Sequence, residues 1–313
     1  MAETAINIGA TSHLPAIRAQ LHQEFGYLQQ EGIMVEIMEE PRGNLVFLNC
    51  KLKQGKKAIF SLSEGKRLFA NFVANALAEI IISQWEKVLL ADIIKQHYSY
   101  FTQEEQEKIL EAAQRNLNSE GKGGIHLLHR VHRKSKVLFK LIDYLETNTE
   151  IVLDGFIRFR LKDYLEELQD VVDRAVDDFM LEREYKEFIR LLRYFVDIQE
   201  PKQKDIHVLL AAEGTFKLMD TNGEAMTTEE LADLVLDISG TDINYEDLLI
   251  SALISLAPER VYLHRCNMNM QQEVIETIKK VFEERLVFCP GCKLCTEQGV
   301  DAQQPNPDGV NTR

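Results

Sequence analysis

The sequence lacks both a hydrophobic run long enough to span a membrane and an N-terminal secretion signal. A membrane helix needs roughly 20 consecutive apolar residues. The most apolar window, Phe72–Trp85, is interrupted by Asn75 and Glu79, so it predicts a buried amphipathic helix. The N-terminal residues MAETAINIGATSH have neither the basic segment nor the apolar core of a signal peptide. We therefore expect a cytoplasmic protein with no membrane span.

Positive charge is also scarce. The 313 residues contain 36 Lys and Arg against 50 Asp and Glu, a formal net charge of −14. Nucleic acids and anionic membranes bind basic surfaces, so this balance argues against both as partners. Apolar residues make up 45 % of the chain, which is enough for ordinary cores, and the length suits two domains or one large mixed domain.

Sequence motifs of several common enzyme classes are missing as well. The chain has no phosphate-binding glycine loop, no dinucleotide fingerprint, no G-x-S-x-G and no H-E-x-x-H. A row of carboxylates from Glu166 to Asp177 lacks the Glu-x-x-His motif of carboxylate metal bundles, and it is typical of a solvated helix face. These absences favour a protein that is not an enzyme.

Apolar periodicity divides the chain into three zones and a tail. Residues 1–62 predict a small α/β unit, with two strands joined at PRGN, and residues 63–200 predict a helical region. Residues 201–295 predict a second small α/β unit, and residues 296–313 predict a disordered tail. The predicted fold class is therefore α-rich α+β, in which a long-helix middle region is flanked by the two small units.

The last helix of the middle region, predicted over residues 154–199, changes the phase of its apolar stripe. From Leu161 to Phe179 the apolar positions step by four and three, whereas beyond Tyr185 they follow a shifted register. Such a skip indicates a kink or a second packing partner.

The cysteines are concentrated near the end of the chain, in VFCPGCKLC. Cys289, Cys292 and Cys295 form a C-x2-C-x2-C motif, and Gly291 permits the tight turn that would bring the thiolates to one ion. Four of the five cysteines follow residue 265. Without a secretion signal, this pattern is typical of thiols or metal ligands rather than disulfides.

Topology predicts the source of a fourth ligand. The segments ERVYLHRC and RLVFC, with a helix between them, predict a right-handed β-α-β unit whose two strands end at the same edge. Cys266 would then neighbour Cys289, and His264 would share the strand face of Cys266. Tetrahedral zinc is the preferred ion, and an iron–sulfur cluster is the alternative because the spacing resembles part of a ferredoxin motif. A redox pair and a set of thiols at a loose terminus stay open.

A basic segment covers residues 121–140, with six Lys and Arg, three histidines and no acid. It could neutralise the protein's own acidic helix at residues 163–187, which we favour, or bind an anionic partner. His126, His129 and His132 recur every three residues and would not converge well on one ion, although the first two could share one. An enzyme built on these histidines is the least favoured alternative.

The long helix and its approach resemble a known family. The segments GFIRFRL, YLEEL and EYKEFIRLLRYFVDIQ, followed by IHVLL, are similar to the central signature of the YtxC family of sporulation proteins from endospore-forming bacteria. The resemblance implies a cytoplasmic product linked to sporulation and supplies no site residues.

The same stretch also has a physical interpretation. Arginines and aromatic residues, among them Phe156, Phe159, Tyr185 and Tyr194, would suit a protein interface, or the aromatic residues could belong to the helical core. The sequence therefore predicts a non-enzymatic protein that acts through a protein partner or as a homo-oligomer and carries a structural metal site. The alternative is a regulatory protein that senses metal or redox state through its C-terminal cysteines.

Overall fold

The computed structural model describes residues 4–30, 32–43, 45–54, 62–119, 125–210, 216–226, 245–264 and 272–297. The chain forms two compact units, unit 1 at Met1–Leu181 and unit 2 at Glu182–Arg313. Helices dominate, and a small sheet lies near each end of the chain. The predicted α-rich α+β class is confirmed, whereas the predicted zone boundaries stay a prediction.

The sheet of unit 1 has the strand order β2-β3-β1-β4. Its strands are β1 (Ala5–Ala10), β2 (Ile33–Arg42), β3 (Leu45–Gln54) and β4 (Glu150–Val152). The predicted turn at PRGN joins β2 to β3, and Gly43 there has a φ of 64°, which a residue with a Cβ rarely adopts.

Strand β4 lies within the zone that the sequence predicts as helical. It pairs in parallel with β1, and Ile8 lies opposite Ile151 in the register. Both side chains are fully buried or nearly so. Three residues are too few to show a period of two, so this strand left no signal in the sequence.

Helices of unit 1 cover the sheet and pack on one another. They are α1 (Leu14–Gln30), α2 (Leu62–Ile80), α3 (Glu86–His97), α4 (Gln103–Ser119), α5 (Ile125–Thr147) and α6 (Leu153–Arg160). A π-helical turn at Ile81–Trp85 separates α2 from α3, where the apolar period predicts one continuous helix. The predicted capping box at the start of α4 is confirmed, because Thr102 Oγ1 accepts from the Glu105 N–H and Glu105 Oε2 accepts from the Thr102 N–H.

Among the described residues, one stretch is long and apolar enough by composition to cross a membrane, Glu64–His97. In the structure 56 % of its most apolar window is buried. Side chains from this stretch belong to the core of unit 1. Core helices meet the same criteria of length and composition, and the burial agrees with the predicted buried amphipathic helix.

Helix α7 (Lys162–Ile198) is the longest element described. Leu161, with φ −105° and ψ 34°, separates it from α6, whereas the sequence predicts a single helix through this point. Leu168 and Val172 belong to the core of unit 1, but Ile189 and Val196 belong to the core of unit 2. The phase change of the apolar stripe thus marks a second packing partner.

Unit 2 contains a second sheet, with the order β6-β5-β7-β8. Strands β5 (Asp205–Leu210), β7 (Arg260–His264) and β8 (Leu286–Phe288) are parallel, and β6 (Phe216–Met219) is antiparallel to β5. The helices are α8 (Tyr245–Leu256), α9 (Gln272–Phe282) and α10 (Lys293–Glu297). The predicted parallel pairing of β7 with β8 around a helix is confirmed.

Several sequence predictions lie outside the described residues. These are part of the strand predicted at residues 57–62, a helix predicted near residues 227–238, the ligand candidate Cys266, and most of the tail predicted at 296–313.

A buried ion pair joins helices within unit 1. Arg133 on α5 donates from Nε to Glu86 Oε1 of α3 at 2.9 Å and from Nη1 to the carbonyl of Leu117 at 3.0 Å. The Tyr164 hydroxyl of α7 donates to the same carboxylate oxygen of Glu86. Both charged side chains are about nine-tenths buried. Burial and the negative charge of Glu86 raise the pKa of Tyr164, so its hydroxyl stays a donor at neutral pH.

We expect Arg133→Met to destabilise unit 1 by about 3–5 kcal/mol, because it leaves the buried Glu86 carboxylate without its positively charged partner. The matched control on the same helix is Lys140→Met, which breaks an exposed pair with Asp163 and should cost under about 1 kcal/mol. Urea unfolding followed by circular dichroism measures both. Equal stability of the two variants would contradict the conclusion that the buried Arg133–Glu86 pair stabilises unit 1.

Candidate metal centre

The end of the β7-α9-β8 unit brings four potential ligands to one edge of the sheet. His264 is the last residue of β7, and Cys289 follows β8 directly. The Cys289 N–H donates to the Leu263 carbonyl at 3.0 Å, which continues the pairing of the two strands. Gly291, with a φ of 123°, then turns the chain back. Cys292 precedes α10, and Cys295 lies within it.

The four ligand atoms form a compact group. Nδ1 of His264 lies 3.4 Å from Sγ of Cys292 and 3.5 Å from Sγ of Cys295. Sγ of Cys295 lies 3.8 Å from that of Cys292 and 4.0 Å from that of Cys289. All four atoms lie within 4.8 Å of one another. Within the described part of the chain, this is the group of His, Cys and acidic side chains close enough to share one metal ion.

The four individual distances of 3.4–4.0 Å are close to the edges of a tetrahedron around a single ion. Zinc–sulfur bonds of about 2.3 Å and zinc–nitrogen bonds of about 2.0–2.1 Å imply sulfur–sulfur edges of about 3.8 Å and sulfur–nitrogen edges of about 3.6 Å. In a [4Fe–4S] cluster the cysteines bind different irons, so their sulfurs surround the whole cluster at wider spacing. The geometry therefore suits one ion.

Apolar packing shields part of the group. His264 is 3 % exposed and Cys295 is 8 % exposed, whereas Cys289 and Cys292 are half-buried. Leu209 of β5 is buried against Cys295. A shielded site of this kind excludes water from two ligands and leaves two thiols within reach of solvent.

Electrostatics distinguishes the four ligands. Burial, and then the neighbouring His207, lower the pKa of His264, so its ring is neutral and has a lone pair to offer. Burial raises the pKa of Cys289 to about 11. Burial by itself would also raise the pKa of Cys292. Hydrogen bonds from the backbone N–H groups of Cys295 and Leu294 and from the neighbouring thiols outweigh this effect, so the pKa of Cys292 is lowered. Cys292 is thus the readiest of these two thiols to become a thiolate.

The structure brings together four of the five predicted ligands, His264, Cys289, Cys292 and Cys295, while Cys266 lies outside the described residues. Sequence reasoning missed His207 of β5, whose Nδ1 lies 2.9 Å from Nε2 of His264. A histidine in a strand is a weak signal by itself. Its role depends on β5 pairing with β7, a strand order that local sequence patterns do not predict.

Basic side chains of the segment 121–140 are paired with acids of unit 1. Lys136 and Lys140 contact Glu167 and Asp163 of α7. The other pairs join Arg130 and Lys134 to Glu79, and Arg133 to Glu86. The favoured interpretation, neutralisation of the protein's own acids, therefore holds for these residues, and the acids lie on α2 and α3 as well as on the acidic helix.

The aromatic residues of the family-like stretch divide between core and surface. Phe156 is buried in the core of unit 1, whereas Phe159 is 68 % exposed. Tyr194 is also exposed, and the hydroxyl of Tyr185 is hydrogen-bonded to Thr277 within unit 2. The core interpretation therefore holds for Phe156, while Phe159 and Tyr194 are exposed as an interface would require.

A family model described as the YtxC-like family matches residues 71–287. The match covers more than half of the chain, and the chain belongs to this family. The chain is also 26 % identical over 222 residues to the uncharacterized protein YtxC of Bacillus subtilis (strain 168), across 70 % of this chain and 76 % of that protein. No solved structure matches. The match to the family model includes His207 and His264 and ends just before Cys289.

Thiol reactivity should separate the cysteines of the metal-free protein. Cys50 is fully buried in unit 1, and burial raises its pKa to about 12, so it should react last with a maleimide at pH 7. Cys292 should react before Cys289, because its lower pKa gives more thiolate at that pH. Peptide mass spectrometry at successive times measures the order. Labelling of Cys50 at the rate of Cys292 would contradict it.

Proposed function

We propose that His264, Cys289, Cys292 and Cys295 bind one structural zinc ion. The observation that supports this most strongly is the group of four ligand atoms within 4.8 Å of one another, four of whose six separations are 3.4–4.0 Å. Four protein ligands fill the coordination of zinc and leave no open position for a substrate, which is typical of structural sites. The ion would fasten the segment after β8 to the end of β7.

A redox- or metal-sensing role is the second candidate. It is favoured by one observation, the partial exposure of Cys289 and Cys292. An oxidant could reach these thiolates, and oxidation would remove two of the four ligands from the ion. In this case loss of zinc would be a signal rather than damage.

At the level of the cell, we propose a non-enzymatic cytoplasmic protein linked to sporulation. Membership of the YtxC-like family supports the proposal, because the sequence resemblance associates that family with endospore formation. The net charge of −14 further favours a protein partner over a nucleic acid.

The surface that we propose for interaction is an exposed apolar stripe on α7. Phe188, Leu191, Phe195 and Ile198 are each 49–58 % exposed. They are spaced by three, four and three residues, which is the spacing of a coiled-coil seam and suits a helical partner. We propose a second copy of the chain as this partner, because a two-fold axis lets identical stripes pack on each other.

Metal analysis tests the zinc site. The protein purified without chelators should contain one zinc per chain and no visible absorbance, and Cys292→Ser should contain less zinc and have a lower Tm, since binding of a structural metal contributes to folding. Cys50→Ser is the matched control and should keep its zinc.

Two results would overturn this assignment. One is a metal-free protein with the Tm of the zinc-treated sample, and the other is a brown, oxygen-sensitive protein that contains iron and sulfide. Reversible release of zinc by mild peroxide, with the fold retained, would favour the sensing role instead.

Light scattering coupled to size exclusion tests the stripe. The wild type should have the mass of a dimer, and Leu191→Glu should shift it to a monomer by placing a charge in the seam. Leu128→Glu, at an exposed leucine of α5, is the control and should remain dimeric. Because association increases with protein concentration, a wild type that is still monomeric at about 100 μM would refute self-association.

A further inference from the structure

We infer that His207 is a positioning residue of the metal centre. By its hydrogen bond to one nitrogen of His264, His207 determines which nitrogen of that ring faces the ion. The inference rests on the proposed zinc site and adds a fifth side chain to it. His207 lies on β5, whereas the four ligands come from β7 and from the segment after β8. The metal centre would then involve three neighbouring strands of the sheet, β5, β7 and β8.

The two nitrogens of the His264 ring face different partners. Nδ1 faces the sulfurs of Cys292 and Cys295 at 3.4 and 3.5 Å, so its lone pair is the one directed at the ion. In a neutral ring the proton must then be on Nε2. Nε2 lies 2.9 Å from Nδ1 of His207, within hydrogen-bond distance. His264 therefore donates, and His207 accepts through an unprotonated Nδ1.

The acceptor is itself held in place. The rings of His207 and Tyr262 stack with centroids 4.9 Å apart and an interplanar angle of 19°. These two residues lie opposite each other in the parallel pairing of β5 with β7. The strand pairing sets the backbone positions of both residues, and the stacking on Tyr262 limits rotation of the His207 ring. The hydrogen bond thus orients the His264 ring in advance and limits its rotation.

A neutral acceptor suits the charge of the site. Three thiolates and one divalent zinc leave one net negative charge, so a carboxylate at the position of His207 would place a second negative charge beside a buried ligand. Ligating histidines in proteins commonly donate to a carboxylate, a carbonyl or water, and loss of that partner typically weakens metal binding 10–100-fold. A neutral imidazole provides the acceptor without the added charge.

Zinc affinity, measured by competition with a chromophoric chelator, tests the role of His207. His207→Phe keeps an aromatic ring beside Tyr262 but removes the acceptor, and we expect its affinity to fall 10–100-fold. His207→Asn returns an acceptor oxygen near the position of Nδ1 and should recover most of the affinity. His97→Phe, at an exposed histidine of α3, is the control, and its affinity should stay within about 3-fold of the wild type because this residue lies outside the site.

Nitrogen-15 NMR of the zinc-loaded protein gives a readout that general destabilisation would not move. In the wild type the His264 Nε2–H should be visible and coupled to His207, and in His207→Phe it should exchange rapidly with water while the far-UV circular dichroism is unchanged. Equal zinc affinity of wild type and His207→Phe would overturn the inference and leave the zinc site intact. Equal weakening in the Phe and Asn variants would also overturn it, because it would show a packing effect. Absence of zinc from the wild type would instead refute the proposed function.

Discussion

One helix has to supply buried side chains to two separate cores, and this constraint governs the sequence of α7. A helix has a fixed period of 3.6 residues, so a change of packing partner along its length must appear as a shift of the apolar stripe. The shift falls between Phe179 and Tyr185, next to the division of the chain after Leu181. Between residues 188 and 198, Ile189 and Val196 are buried in the core of unit 2. The apolar side chains Phe188, Leu191, Phe195 and Ile198 of the same part of the helix are exposed. The proposed interaction stripe is thus a by-product of the same phase change.

The candidate metal centre depends on a simpler rule, that parallel strands end at the same edge of a sheet. Pairing of β7 with β8 places His264 and Cys289 side by side, and the turn at Gly291 returns the two remaining thiols to them. No long-range loop is needed. Distances of 3.5–4.0 Å from the Cys295 sulfur to the other three candidate ligand atoms follow from a strand pair, one residue with positive φ and a short helix.

Sequence reasoning reached the fold class, the parallel β7–β8 pair, the α4 capping box and the clustering of four candidate ligands, because each has a local signal: a period, a cap or a spacing. It missed β4, the π-helical turn at Ile81–Trp85 and the break at Leu161. Strand β4 is too short for a period, and the other two interruptions keep the apolar stripe, which is the feature that sequence patterns report. It missed His207 for another reason: the strand order that puts β5 beside β7 is a tertiary property, and no spacing along the chain encodes it.

The position of the ligands along the chain has a consequence for the order of events during synthesis. Three of the four candidate ligands lie at residues 289–295, after every other strand and long helix described. A ribosome makes the chain from the N-terminus, and domains generally fold as units as they emerge. The segment that closes the site is therefore made after both sheets have their other strands. An ion bound there would stabilise unit 2 in the last step of its folding. A chain that stopped before Cys289 would contain His264 but none of the three thiols of this segment.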